Sequence, residues 1–271
     1  MPKKSEIEKR EHMVVQKNDL IQKSRFVLSK QEHKLILYVM SKIKPKDNEF
    51  NEVTFSVSEF NKVCGIYNDG GGNYDHLKKT IQNIADKSLW LRVGEIETLF
   101  RWFTYVELHD NGMIKIRLHD ALKPYLLQLE KHFTVYSLIY PLVMRSQYSI
   151  RLYEILKSYD NLGSWTFDAK QLQIMMGAES HKLYGDFKRR ALVVAVQEIN
   201  ELTDLSVAME EIKEGQKVVE LCFTTQKKDT IGSFLRAHGK LEEGLNKMDV
   251  KEASVTKAFD ELDFNKKKSP H

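Results

Sequence analysis

The strongest constraint in this chain is an internal repeat. VTFSVSEFNKVCG at 53–65 and WTFDAKQLQIMMG at 165–177 align with Thr-Phe and the closing Gly in register. The match continues in the same order on either side. Upstream, Lys34-Leu35 parallels Arg151-Leu152; downstream, Tyr74-x-x-Leu77-Lys78-Lys79 parallels Tyr184-x-x-Phe187-Lys188-Arg189. Each unit reads as helix, strand, helix, helix, hairpin. A helix-turn-helix followed by a β-hairpin is a winged helix, so the repeat predicts an α+β chain of two tandem winged-helix domains.

The local signals support that order. In the first unit, Ser29 opens a helix (SKQEHKLILYVMSKI) with Glu32 three residues on and Leu35, Ile36, Val39, Met40 and Ile43 as its apolar stripe. Glu52–Val57 alternates as a strand, and Ser58–Val63 reads as a short helix closed by Gly65. The loop NDGGGN at 68–73 leads to a helix over Tyr74–Ser88, with Lys79, Asn83 and Lys87 outward. Leu89–Val93, Leu99–Leu108 and Met113–Leu118 read as strands, with a tight turn at Asp110-Asn111-Gly112. A helix over Asp120–Gln128 and a connector around Tyr140-Pro141 link the units. In the second, Ser146–Tyr159 is a helix, Trp165-Thr166-Phe167 a strand and Asp168–Met176 a helix stopped by Gly177. Strands Ser206–Ile212 and Lys217–Thr225 turn at Glu214-Gly215. The domains are expected at 29–141 and 142–228. Residues 1–28 read as a charged arm, a short strand-like start at Met13 and a polar linker, and 229–271 as a tail with a basic run at Lys266–Lys268.

Between the second unit's short helix and its hairpin lies YGDFKRRALVVAVQEINELT, Tyr184–Thr203. At 100° per residue, Phe187, Ala191, Ala195, Ile199 and Leu202 share one face. The opposite face carries Arg189, Arg190, Val193, Gln197 and Asn200. Arginine forks match guanine O6 and N7, amides match adenine, and an aliphatic group can touch a thymine methyl. The pattern suits a major-groove reading helix, whereas the first unit's counterpart presents mainly lysines, which suit phosphate. Lys213 and Lys217 flank the hairpin turn, where a wing reaches DNA backbone.

Composition bounds the alternatives. A chain of 271 residues with 42% apolar residues can bury a core, and its net charge of +4 makes it only mildly basic, so nucleic-acid binding is argued from charge placement. The two cysteines, Cys64 and Cys222, are far apart in apolar settings, as buried thiols of a reducing cytoplasm are. No apolar run is long enough for a membrane span, and no signal-type apolar core follows the charged start. The expectation is a cytoplasmic protein. Catalytic and metal sites are not expected. No two of the nine histidines are two residues apart. Gly70-Gly71-Gly72 has no phosphate-loop lysine, and neither cysteine has Cys or His neighbours at ligand spacing. No cofactor is implied.

SIRLYEILKSY at 149–159, YGDFKRRAL at 184–192 and VQEINELTDL at 196–205, with LSKQEHKLILYVMSKI in the first half, resemble plasmid replication initiators of the iteron-binding Rep type (the RepB- and RepE-like initiators). The resemblance covers about residues 15 to 226. It implies a protein that binds directly repeated origin sequences as a monomer and an inverted repeat in its own promoter as a dimer. Double-stranded DNA, a homodimer in equilibrium with monomer, and host replication factors such as the replicative helicase are the implied partners. It places Lys188, Arg189 and Arg190 at the basic positions of the C-terminal reading helix, with Lys78 and Lys79 at the N-terminal counterpart, whose outward face adds Asn83. The N-terminal domain then supplies backbone binding and the dimer contact, for which the aromatic-rich strands at 99–118 are the candidate surface. Val193-Val194-Ala195-Val196 departs from the family pattern, which has a more polar turn with a proline. Two other readings use other chemistry or another role: a transcription repressor of the same fold, and a rolling-circle nicking enzyme, which would need the absent histidine pair.

Overall fold

The computed structural model describes residues 12–64 and 73–242. The charged arm before His12, the Gly65 stop, most of the glycine loop at 68–73 and the chain beyond Glu242, including Lys266–Lys268, lie outside the described residues.

The repeat is realised element by element. In the first unit, α2 (Lys30–Ser41) is followed by β3 (Val53–Ser56), α3 (Val57–Cys64) and α4 (Asn73–Ala85). In the second, α7 (Gln147–Ser158) is followed by β9 (Ser164–Asp168), α8 (Ala169–Met175) and the long helical segment from Tyr184 to Leu202. The N-caps do the starting. Ser29 Oγ accepts from the Glu32 amide while the Glu32 carboxylate accepts from the Ser29 amide at 2.7 Å, a complete capping box. Ser146 caps α7 and Asp168 caps α8, accepting from Gln171 N at 2.7 Å. The hairpin β10 (Leu205–Glu214) and β11 (Lys217–Lys227) closes the second unit, with β9 added along β11.

Three expectations are corrected. Met13–Leu28 opens with the expected strand but does not continue as a linker. It forms β1 (Met13–Lys17), α1 (Asn18–Lys23) and β2 (Ser24–Arg25), with β1 paired antiparallel to β8 (Phe133–Ser137) and β2 to β4 (Ser88–Val93). Its polar composition hid this, because Gln16 and Ser24 are buried and hydrogen-bonded rather than solvated. Leu99–Leu108 is not one strand. It splits at Trp102 into β5 (Ile96–Arg101), which pairs with β4, and β6 (Phe103–Leu108), which pairs with β7 (Met113–Leu118) in a separate sheet. Trp102 and Phe103 are buried in succession, which breaks the period of two and turns the chain from one sheet to the other. As a result β3 pairs with β7 and the first unit carries one hairpin more than the second. The helix expected over Asp120–Gln128 shortens to a 3-10 turn and α5 (Lys123–Leu126), and the connector contains β8 and α6 (Ile139–Val143).

The chain beyond Asp229 also departs from the expected tail. Thr230–Glu242 is a helix, α11, which buries Phe234 and Ala237 and packs on α6. One apolar core runs through both units. Helix α7 lies inside it, with nine of its residues buried, and touches α1, α2 and the Tyr184–Leu202 segment. At the junction Gly177 has φ +62°, and a Cβ there would sit 2.5 Å from the Phe26 carbonyl oxygen, so the position takes only glycine.

Candidate nucleic-acid interface

The segment from Tyr184 to Leu202 is α9 (Tyr184–Phe187), a π turn over Lys188–Leu192, and α10 (Val193–Leu202). Phe187, Ala191, Ala195, Ile199 and Leu202 are all buried, as the wheel predicts. The π turn explains how. Steps of four residues advance about 40° past a full revolution on a regular α-helix, so such a stripe drifts. A π turn uses i→i+5 bonds and more residues per revolution, which offsets the drift and keeps the stripe on the core. The same turn projects Lys188, Arg189 and Arg190 from the start of the helix.

The outward face is sorted by what each side chain already holds. Arg189 and Arg190 are the most open, with side chains 72% and 62% exposed. Val193 and Gln197 follow on the next turns, both exposed. Lys188 is less free: its Nζ lies 2.8 Å from Glu211 Oε1 on β10. Both ends of the Asn200 amide are engaged. Its Nδ2 donates to the Val207 carbonyl and its Oδ1 accepts from the Val207 amide, both at 2.8 Å. This bidentate contact ties α10 to the first strand of the hairpin.

Acids complete the motif. Asp186 Oδ1 lies 2.8 Å from Arg189 Nη2 and 3.7 Å from Arg190 Nε. The Tyr184 hydroxyl donates to Glu211 Oε1 at 2.5 Å, so Tyr184 is both a core-packing ring and a hydrogen-bond donor. Bonds from Lys188 and Tyr184 hold the Glu211 carboxyl below the usual carboxylate range. Burial, then the bond to Glu211, pushes the Tyr184 hydroxyl up. Asp186 stands one turn before the arginines on the same face of the wheel, an acid that a reading of the face by its cations and amides alone leaves out.

Lys213 and Lys217 are exposed at the tip of the wing, beside Gly215 at φ +61°. A register shift between Ile212 and Lys213 bends the hairpin there. On α4, Lys78 and Lys79 are exposed, while Asn83 is half-buried and the neighbouring Gln82 is the open amide. Lys170 in the first turn of α8 and Lys182 in the loop after it are also exposed, on the helix-turn-helix side of the second unit. Residue type alone did not single them out. Their place in the helix and the loop that precede Tyr184 does.

Among the described residues no group of three or more His, Cys, Asp or Glu is placed to hold a metal ion, and no helix is long and apolar enough to cross a membrane.

Two winged helices in one chain, the second with a basic helix backed by a hairpin, are the architecture of a DNA-binding protein. Two family models match: "Initiator Replication protein, WH1" over residues 13–157 and "Initiator Rep protein, WH2" over 169–225. The chain belongs to this initiator replication protein family. The WH1 match runs through α7, beyond the boundary expected at 141, as befits a helix packed against both units. Among solved structures, the Pi initiator protein in complex with iteron DNA is similar, at 18% identity over 81% of this chain and 99% of that one, with a TM-score of 0.65. Domains 2 and 3 of RctB match at 13% identity over 65% of this chain and 73% of that one, with a TM-score of 0.40. The Pi likeness is one of fold: the two tandem winged helices inferred from the repeat are the arrangement of a replication initiator.

Proposed function

We propose that this chain initiates plasmid replication by binding directly repeated origin sequences, with the second winged helix choosing the sequence and the first adding backbone affinity. Arg189 and Arg190 read base edges from the π turn, Val193 and Gln197 extend the contact along the groove, and the wing lysines Lys213 and Lys217 meet phosphate. Lys78 and Lys79 do the same from α4. The protein acts in the cytoplasm without catalytic chemistry of its own, passing the opened origin to host factors such as the replicative helicase. As a dimer it represses its own gene from an inverted repeat. The observation that carries this reading is the pairing of a fully buried apolar stripe with an open Arg-Arg-x-x-Val-x-x-x-Gln face on one helix of a winged-helix unit. The iteron complex of the similar Pi initiator supports it.

The test is footprinting on the DNA flanking the gene, with wild type and Arg189→Ala. Protection repeating about every two helical turns on direct repeats is expected, lost in the variant with a penalty of roughly 1–3 kcal/mol. Protection confined to one inverted repeat would instead make the protein a repressor.

A further inference from the structure

Three consecutive cations on the reading helix, Lys188, Arg189 and Arg190, are each held by a carboxylate of the protein itself. Asp186 serves both arginines from one turn earlier, and Glu211 reaches Lys188 from the wing strand, steadied by the Tyr184 hydroxyl. The arrangement is not simple surface pairing. One oxygen of Asp186 faces two guanidiniums that are otherwise open to solvent, and Glu211 belongs to a different element from its cation.

We propose that Asp186 and Glu211 are specificity determinants: they compete with phosphate for the basic motif and so widen the gap between repeat DNA and any other duplex. This rests on the reading that the helix meets DNA. Non-specific binding is supplied by cations that neutralise phosphates and release counterions. A cation already neutralised by its own carboxylate releases fewer, and the carboxylate repels a backbone that approaches it. Base readout suffers less. A guanidinium has five donors, so Arg189 can keep its Nη2 contact with Asp186 and still present its remaining N–H groups to a guanine edge. Discrimination is then built from a repulsive element as well as an attractive one.

The experiment uses the full-length chain and two duplexes of equal length, the origin repeat and a scrambled sequence, titrated by fluorescence anisotropy across salt. Asp186→Asn removes the charge at nearly constant shape. Its binding to scrambled DNA should tighten about threefold or more at low salt, with a steeper salt slope, while repeat binding changes less, so that the specificity ratio falls. Glu211→Gln should act in the same direction, and Asp186→Glu, which keeps the charge, should hold the wild-type ratio even if its stability differs. An unchanged or higher ratio in Asp186→Asn overturns the proposal, as does weaker binding to both duplexes. Arg189→Ala separates this from the underlying reading. If Arg189→Ala abolishes repeat preference but Asp186→Asn leaves the ratio unchanged, only the acid competition fails. If Arg189→Ala binds the repeat as wild type does, the helix is not the reader and both fail.

Discussion

Arg151 Nη2 lies 2.6 Å from the main-chain carbonyl oxygen of Ile21, joining residues 130 positions apart. The same guanidinium donates to Ser24 O at 3.1 Å and, through Nε, to Met175 O at 2.9 Å, and it lies over the Phe26 ring. Its counterpart in the repeat, Lys34, is also buried and donates to the Leu142 carbonyl. Burial pulls the Lys34 ammonium down to about 8. Both units therefore place a cation at one position of their first helix, and both spend its protons on distant main-chain carbonyls around the junction. The basic helix from Tyr184 to Leu202 is carried by a scaffold in which the two units share one centre.

Removing that cation is expected to cost far more than a surface change. Arg151→Met leaves three main-chain carbonyl groups without this donor and removes a positive charge 3.9 Å from the buried Glu154, and breaking such a contact costs about 3–5 kcal/mol. Urea unfolding measures it. A loss below about 1 kcal/mol would show that the junction is not the stabilising centre described.

Acid should loosen the same centre. Glu154 accepts from Gln16 Nε2 at 2.8 Å and from the Tyr136 hydroxyl at 2.7 Å, and lies 2.8 Å from His33 Nε2. Burial pushes its carboxyl up, but His33, Arg151 and Tyr136 together outweigh burial and bring it from 4.5 down to about 2. The folded value lies below the unfolded one. Its contribution is therefore complete above about pH 4.5 and is lost as pH falls toward 2, on the order of a few kcal/mol. Unfolding midpoints followed from pH 7 to pH 3 should fall more steeply for wild type than for Glu154→Gln. Parallel curves would contradict the assignment.

Asn200 is expected to behave as a brace and not as a reader. Asn200→Ala removes both bonds to Val207 and leaves that main-chain pair unsatisfied, at a cost of about 1–3 kcal/mol in stability. Anisotropy at a temperature where the variant is fully folded should show an unchanged preference among base-substituted repeats. A relaxed preference at one base position would return Asn200 to the base-contacting set.

These cases show where the sequence was legible. Capping residues, Thr-Phe strands and apolar stripes repeat locally, so Ser29, Ser146, Asp168 and the buried face from Phe187 to Leu202 could be placed from spacing alone. What escaped depends on partners far along the chain. The strand start at Met13 was visible, but its pairing with β8, 116 to 124 residues on, was not, and Gln16 looks solvated until Glu154 is beside it. Trp102 continued an apparent strand because consecutive burial at a change of sheet has no period. Helix α11 was masked by Arg236, Lys240 and its glycines, although Phe234 and Ala237 face the core. The outward face was legible by residue type and illegible by engagement. Arg189, Lys188 and Asn200 look alike as polar positions on a wheel, yet the first is held by Asp186 one turn back, the second is paired across to the wing and the third is bonded to the main chain of Val207.

The wing and α4 give the sharpest division of labour to test. Lys213 and Lys217 stand exposed around the turn at Gly215, and Lys78 and Lys79 are exposed on the first unit's helix. Lysine is a compact point charge that suits a phosphate and carries no fork for a base edge. Replacing Lys213 and Lys217 together with Ala should weaken binding to repeat and scrambled duplexes alike and flatten the salt dependence by up to ~2 units of slope. Lys78→Ala with Lys79→Ala should do the same from the other unit. Arg189→Ala should differ in kind, losing the repeat far more than the scrambled duplex. Salt titrations of the three variants on both duplexes decide the matter. A wing variant that loses affinity only for the repeat would mean that the hairpin tip reads bases in the groove, and sequence choice would then be shared between helix and wing.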